Sequence, residues 1–237
     1  MKLTKRVETN KRYQNRRIEK QYIFMSRSYL SGIDGGAGMS HGLTQMLQTM
    51  DGTNIEMRIA YQCAPLLAGL KPSNLLMLRE REVTYVQWML KQAGISYFIV
   101  AQEKGKAAVL LYNKGELQRY LAQEQVAGSL KKMGYRELSL GKVLYVFRRH
   151  YEAFLRGEAE FPHEMGFLLG YPVEDVEGFI RNEGQNCLYT GDWKVYDNLT
   201  EKLTLFGKFE AARESLLGMI SGGMGIIDIM KNQLAHY

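Results

Sequence analysis

The sequence predicts an α+β, helix-rich fold around a small three- to four-stranded mixed sheet, and three observations carry that prediction. Ile95-Ser96-Tyr97-Phe98-Ile99-Val100 and Ala107-Ala108-Val109-Leu110-Leu111-Tyr112 flank the short polar connection Glu103-Lys104-Gly105-Lys106, the pattern of a β-hairpin. Upstream, Leu75-Leu76-Met77-Leu78 is an apolar run of buried-strand length. Elsewhere apolar residues recur at helical spacing, and only Trp193-Lys194-Val195-Tyr196 competes as a strand. These elements make a strand–helix–strand–strand unit followed by a helical C-terminal half. Its first two strands are expected to lie parallel through a right-handed crossover.

Taken in chain order, Thr53-Asn54-Ile55-Glu56 fits a capping box, opening a helix that runs to about Cys63. Pro65 is expected to end, kink or restart that helix. Lys71-Pro72-Ser73 breaks the chain before the first strand. Residues 82–93 place Val83, Val86, Met89 and Leu90 on one helical face, closed by Gly94. Residues 116–133 read as one helix ending at Gly134, and 139–156 as another. Pro162 and Pro172 stand where proline is favoured, just inside a helix start, which predicts short helices at 163–169 and 173–182. A long helix opens at Asn198 or Thr200 and is interrupted at Gly222-Gly223.

The formal charge of +6 is unevenly placed. Residues 1–38 hold nine Lys or Arg against Glu8, Glu19 and Asp34, leaving 22 of the 31 basic and 22 of the 25 acidic residues for 39–237. The body is formally neutral, so nucleic acid is not its expected partner. Residues 1–38 read as a basic flexible tail ending in the linker Ser31-Gly32-Ile33-Asp34-Gly35-Gly36-Ala37-Gly38, and Met39 as the expected native start. The alternative is a disordered basic arm. Residues 39–237 are expected to form one domain, with a sheet-containing half at 39–135 and a helical half at 136–237.

No continuous apolar stretch resembles a secretory signal, and the apolar segment 216–230 is broken by Ser221-Gly222-Gly223 and carries Asp228. No membrane association is expected. Two cysteines cannot build a metal cluster by themselves, and a reducing cytoplasm is the expected compartment.

Three places invite chemistry. Cys63-Ala64-Pro65 would put a thiol at a helix start if Pro65 opens a new turn, where the dipole favours thiolate. The competing reading is a small buried hydrophobe. Phe161-Pro162-His163-Glu164-Met165-Gly166 offers His163 and Glu164 as an acid/base pair or part of an anion or metal site, against the leading reading of a helix-start charge and its satisfied neighbour. In Trp193-Lys194-Val195-Tyr196, alternation sets Lys194 and Tyr196 on one side and Trp193 and Val195 on the other. Lys194 with Tyr196 would grip a phosphate or carboxylate, with Trp193 stacking on a planar ligand. Otherwise Trp193 and Val195 are core and the other two are solvated. No phosphate loop, dinucleotide fingerprint or nucleophile elbow is present.

Two of these places lie in longer motifs. The stretches Tyr61-Gln62-Cys63-Ala64-Pro65-Leu66-Leu67-Ala68-Gly69-Leu70-Lys71-Pro72 and 161–180, with Gly170-Tyr171-Pro172 inside it, together with Trp193–Tyr196, resemble the bacterial family labelled domain of unknown function 3793. The similarity spans about 40–215. That family carries no established activity, so the resemblance assigns no role, cofactor or metal. It implies an association with iron or redox physiology. The expected function is a small-ligand-binding or accessory protein recognising a small anionic ligand or a redox partner. Cys63, His163, Glu164, Tyr171, Trp193, Lys194 and Tyr196 are the candidate residues. The alternative is an enzyme with Cys63 as nucleophile, His163 as base, and Lys194 or Tyr196 polarising the substrate.

Overall fold

Both faces of the central sheet are buried, and this governs the architecture. The computed structural model describes residues 54–234; the basic stretch 1–38, the expected start at Met39 and Thr53 lie outside them. Helix α1 (Ile55–Leu67) opens on Asn54, whose side chain accepts from the Glu56 and Met57 amides. Pro65 does not end α1, because it stands in the last turn, buried against the core, where the helix needs few further hydrogen bonds. Strand β1 (Ser73–Arg79) leads into α2 (Glu80–Ala93), closed by Gly94 at φ +74°, and then the hairpin β2 (Ser96–Glu103) and β3 (Lys106–Tyr112). Arg58 of α1 ties these together, pairing with Glu82 at 2.9 Å and donating to the Met77 carbonyl at 2.7 Å.

The hairpin forms as expected, but the sheet is antiparallel throughout rather than mixed. Its order is β1-β3-β2. β1 and β2 do run in the same direction, yet β3 inserts between them and pairs with both. One face, with Leu76, Leu78, Ala107, Val109 and Leu111, packs into a core with α1 and α2. The other, with Leu75, Val100, Ala108 and Leu110, joins a second core. A strand covered on both faces needs apolar residues at every position, which explains the unbroken runs in β1 and β3.

The second core is built by α3 (Lys114–Leu121), α4 (Glu124–Lys132), α5 (Leu140–Leu155), α6 (Met165–Leu168) and α7 (Val173–Arg181). The single helix expected at 116–133 is two. Leu117 and Leu121 share a face, as do Val126 and Leu130, but the five-residue step from Leu121 to Val126 would rotate the second pair by roughly 140° in a continuous helix. Breaking at Ala122-Gln123 returns both pairs to the core. The helix expected at 163–169 shrinks to the four-residue α6.

Strand β5 (Lys194–Val195) is shorter than expected and pairs antiparallel with β4 (Tyr189–Thr190) in a separate two-stranded sheet. The long α8 (Leu199–Ser221) and α9 (Ile226–Leu234) then return to the first core, where Ala212, Leu216, Leu217, Ile226 and Ile229 meet α1 and α2. A third small cluster, Trp193, Val195, Phe206 and Phe209, joins the β4–β5 hairpin to α8. No helix among the described residues is long and apolar enough to cross a membrane.

Candidate functional site

Two turns far apart in sequence dock against each other. After α1 the chain passes Lys71-Pro72 into β1, and before α7 it passes Gly170-Tyr171-Pro172. Ser73 Oγ donates to the Leu168 carbonyl. Gly170 has φ +71° and lies so close to the Pro72 ring that a Cβ there would overlap it. The Tyr171 carbonyl accepts from the Tyr120 hydroxyl. Docking sets the Lys71 ammonium 5.1 Å from the Tyr171 ring centroid, a cation–π contact.

Asp175 on α7 holds the β4–β5 hairpin in place. Its carboxylate accepts from Trp193 Nε1 and the Tyr196 amide, both at 2.7 Å, and from the Asp197 amide at 3.3 Å. The Trp193 indole so fixed stacks on Tyr171 with centroids 4.8 Å apart. From α8, Arg213 pairs with Asp192 and, at 2.7 Å, with Glu210, while its guanidinium lies over Tyr61. Burial works against the Arg213 charge, yet Asp192 and Glu210 hold its pKa above the usual value.

These contacts enclose a cleft of about 120 Å³ bordered by Lys71, Asn74, His163, Tyr171, Trp193 and Arg213. Lys71 is its chemically distinctive group. The residue is 9% exposed, its Nζ donates to Asn74 Oδ1 at 3.4 Å, and no carboxylate among the described residues lies within ion-pair distance of it. Burial pushes its pKa down to about 8; Asp192 opposes that fall and Arg213 adds to it.

The sequence-derived candidates divide. His163, Tyr171, Trp193 and Lys194 all border the cleft. His163 is flanked by Phe161 and Phe179, with ring centroids 5.7 and 5.5 Å away. Lys194 donates to the Gly184 carbonyl and lies over Phe179. Glu164 is turned into the second core instead, 2.6 Å from His150 Nδ1 and accepting from the Tyr135 hydroxyl at 3.1 Å, so it forms no pair with His163 facing the cleft. Tyr196 does not border the cleft either; it packs on Gly178, and its buried hydroxyl has no hydrogen-bond partner among the described residues. Of the alternating strand, Trp193 and Val195 are core, as one of the two readings had it.

Cys63 follows the buried-hydrophobe reading. It lies in the continuous interior of α1 rather than at a helix start, is fully buried, and meets only Asn74 Nδ2 at 3.8 Å among hydrogen-bond partners. Burial pushes its thiol up to about 12, so it stays protonated and is not an activated nucleophile.

Sequence reasoning missed Lys71, Asn74, Asp192 and Arg213 as site residues. One signal for Lys71 was available: it is the only charged residue between Arg58 and Arg79, inside an otherwise core-forming stretch. Arg213 had none, since it stands among ordinary helix-surface charges. Among the described residues, no group of three or more His, Cys, Asp or Glu is placed to hold a metal ion.

No curated protein and no solved structure matches the chain. A family model does, extending past Leu216, where the resemblance was expected to stop. It covers residues 59–230, which include both docked turns, the hairpin and Arg213, and the chain belongs to that family, the protein of unknown function DUF3793.

Proposed function

We propose that the cleft binds a small anionic ligand, with Lys71 as its cationic anchor. One observation carries this reading: a lysine ammonium is buried at the cleft wall with no carboxylate among the described residues to pair it. An uncompensated buried charge costs several kcal/mol, on the order of the penalty for removing one partner of a buried ion pair. An anionic ligand offsets that cost and is favoured for the same reason.

The carboxylates on the cleft wall do not compete for the role. Asp175 is committed to three N–H donors and Asp192 to Arg213. Lys194 adds a further cation to the lining. Gln62 also lines the cleft, and its buried Oε1 has no hydrogen-bond partner among the described residues.

The test is a melting-temperature screen of the full chain against phosphate, acetate, oxalate and citrate, with chloride as control. Ferric citrate belongs in the panel because of the iron and redox association that the family resemblance implies. A bound anion raises the melting temperature by mass action, by about 2.7 kcal/mol of stability at a hundred times its Kd. The shift should vanish in Lys71→Met. A panel without any shift sinks the reading.

A further inference from the structure

The surroundings of Lys71 suit an amine that reacts as well as one that attracts. A lysine held in an ion pair keeps its proton, and its lone pair is unavailable. Among the described residues Lys71 has no such partner, and its Nζ donates to the neutral Asn74 amide at 3.4 Å. The Tyr171 ring covers one side and the residue is almost wholly out of water. Desolvation disfavours the Lys71 proton; Asp192 opposes that effect more strongly than Arg213 adds to it, so burial is what frees the lone pair. Desolvation is one of the ways a lysine is activated as a nucleophile.

Resting on the anion-binding reading, we infer that the Lys71 amine condenses with the carbonyl carbon of a small oxo acid held in the cleft, forming an imine. The neutral amine nitrogen attacks the carbonyl carbon, and the π electrons move to oxygen. A proton passes from nitrogen to that oxygen, giving a carbinolamine. The proton that the Lys71 ammonium gave up before the attack returns to the carbinolamine hydroxyl, the C–O bond breaks as the nitrogen lone pair forms C=N, and one water leaves. In sum, an ammonium and a carbonyl become a protonated imine and water, with no change in oxidation state. The acid group of the ligand lies toward the side of the cleft that Lys194 lines, while the carbonyl faces Lys71. Because burial sets the Lys71 pKa at about 8, half of it is neutral amine near that pH, where a surface lysine is almost wholly protonated.

The full chain is incubated at pH 8 with pyruvate or glyoxylate and cyanoborohydride, which reduces an imine to a stable secondary amine. Intact mass and tandem mass spectrometry then count and place the adducts. One adduct, located on Lys71 and absent when lactate replaces pyruvate, is the expected result. Lys71→Arg keeps the charge and should lose the adduct, and the wild-type location stands even if that variant folds poorly. Yield at Lys71 should climb to half its maximum near pH 8. No adduct, or adducts spread over the exposed Lys91, Lys104 and Lys114 with Lys71 unmodified, overturns the inference.

The two readings separate through lactate. If lactate and pyruvate both raise the melting temperature without trapping at Lys71, the anion site stands and the imine falls. If Lys71 is trapped but lactate gives no shift, the imine stands and the simpler anion site falls. Silence in both measurements overturns both.

Discussion

The ammonium of Lys71 sits over the ring of Tyr171, and the backbone beneath each is locked to the other by the Ser73–Leu168 hydrogen bond and the close approach of Gly170 to Pro72. Gly170 is the most constrained member of this joint. It adopts φ +71°, and any side chain there would collide with the Pro72 ring. Gly170→Ala is expected to cost about 3 kcal/mol, combining left-handed strain with overlap, and to weaken anion binding in the same variant. Urea unfolding read beside ligand titration checks both effects.

Asp175 predicts a second loss. Removing its carboxylate in Asp175→Ala strands the Trp193 indole N–H and the Tyr196 amide, at a cost of roughly 3 kcal/mol. Trp193 is 4% exposed and Trp88 51%, so acrylamide should quench only Trp88 in the wild type. In the variant, Trp193 should become quenchable before global unfolding. Unchanged quenching would contradict the role given to Asp175.

Lys71 predicts a dependence of stability on pH. Its folded pKa, about 8, lies below the usual lysine value of 10.5. Between those values the unfolded chain binds a proton that the folded chain does not, so stability rises with pH across the window. Below pH 8 both states are protonated and the burial penalty is constant. The expected gain between pH 8 and 10 is roughly 2 kcal/mol relative to Lys71→Met, which lacks the group. The comparison ends at pH 10 because the raised pKa values of Tyr61 and Tyr171 act in the opposite direction above it. Parallel stability curves for the two proteins would refute the lowered pKa.

The two cysteines should part company in thiol labelling. Cys187 is partly exposed and should react with iodoacetamide in the native protein. Cys63, buried and with its thiol raised to about 12, should react only at the rate of unfolding. Rapid native modification of Cys63 would restore the nucleophile reading.

What could be read before folding was decided by whether the information was local. The β2–β3 hairpin announced itself through a short turn between two β-rich runs. Its partner β1 was visible as an apolar run, but such a run has no alternation, so nothing in it specified which strand it would pair with. The break at Ala122-Gln123 was present as a phase slip between Leu121 and Val126, hidden because both halves favour helix. At the site, His163, Trp193 and Lys194 stood out by residue type and Tyr171 within the family resemblance, and all four border one cleft. Cys63 stayed open between two readings because its setting depended on how α1 would treat Pro65. Lys71 owes its character to burial, a property that only the assembled chain confers.

That dependence bears on synthesis. Arg213 and the indole stack on Tyr171 belong to segments translated long after Lys71. While the polypeptide is still emerging from the ribosome, Lys71 faces bulk water and has the basicity of any other lysine. Its unusual proton affinity is acquired only with burial in the assembled cleft, which ties this amine's chemistry to completion of the molecule.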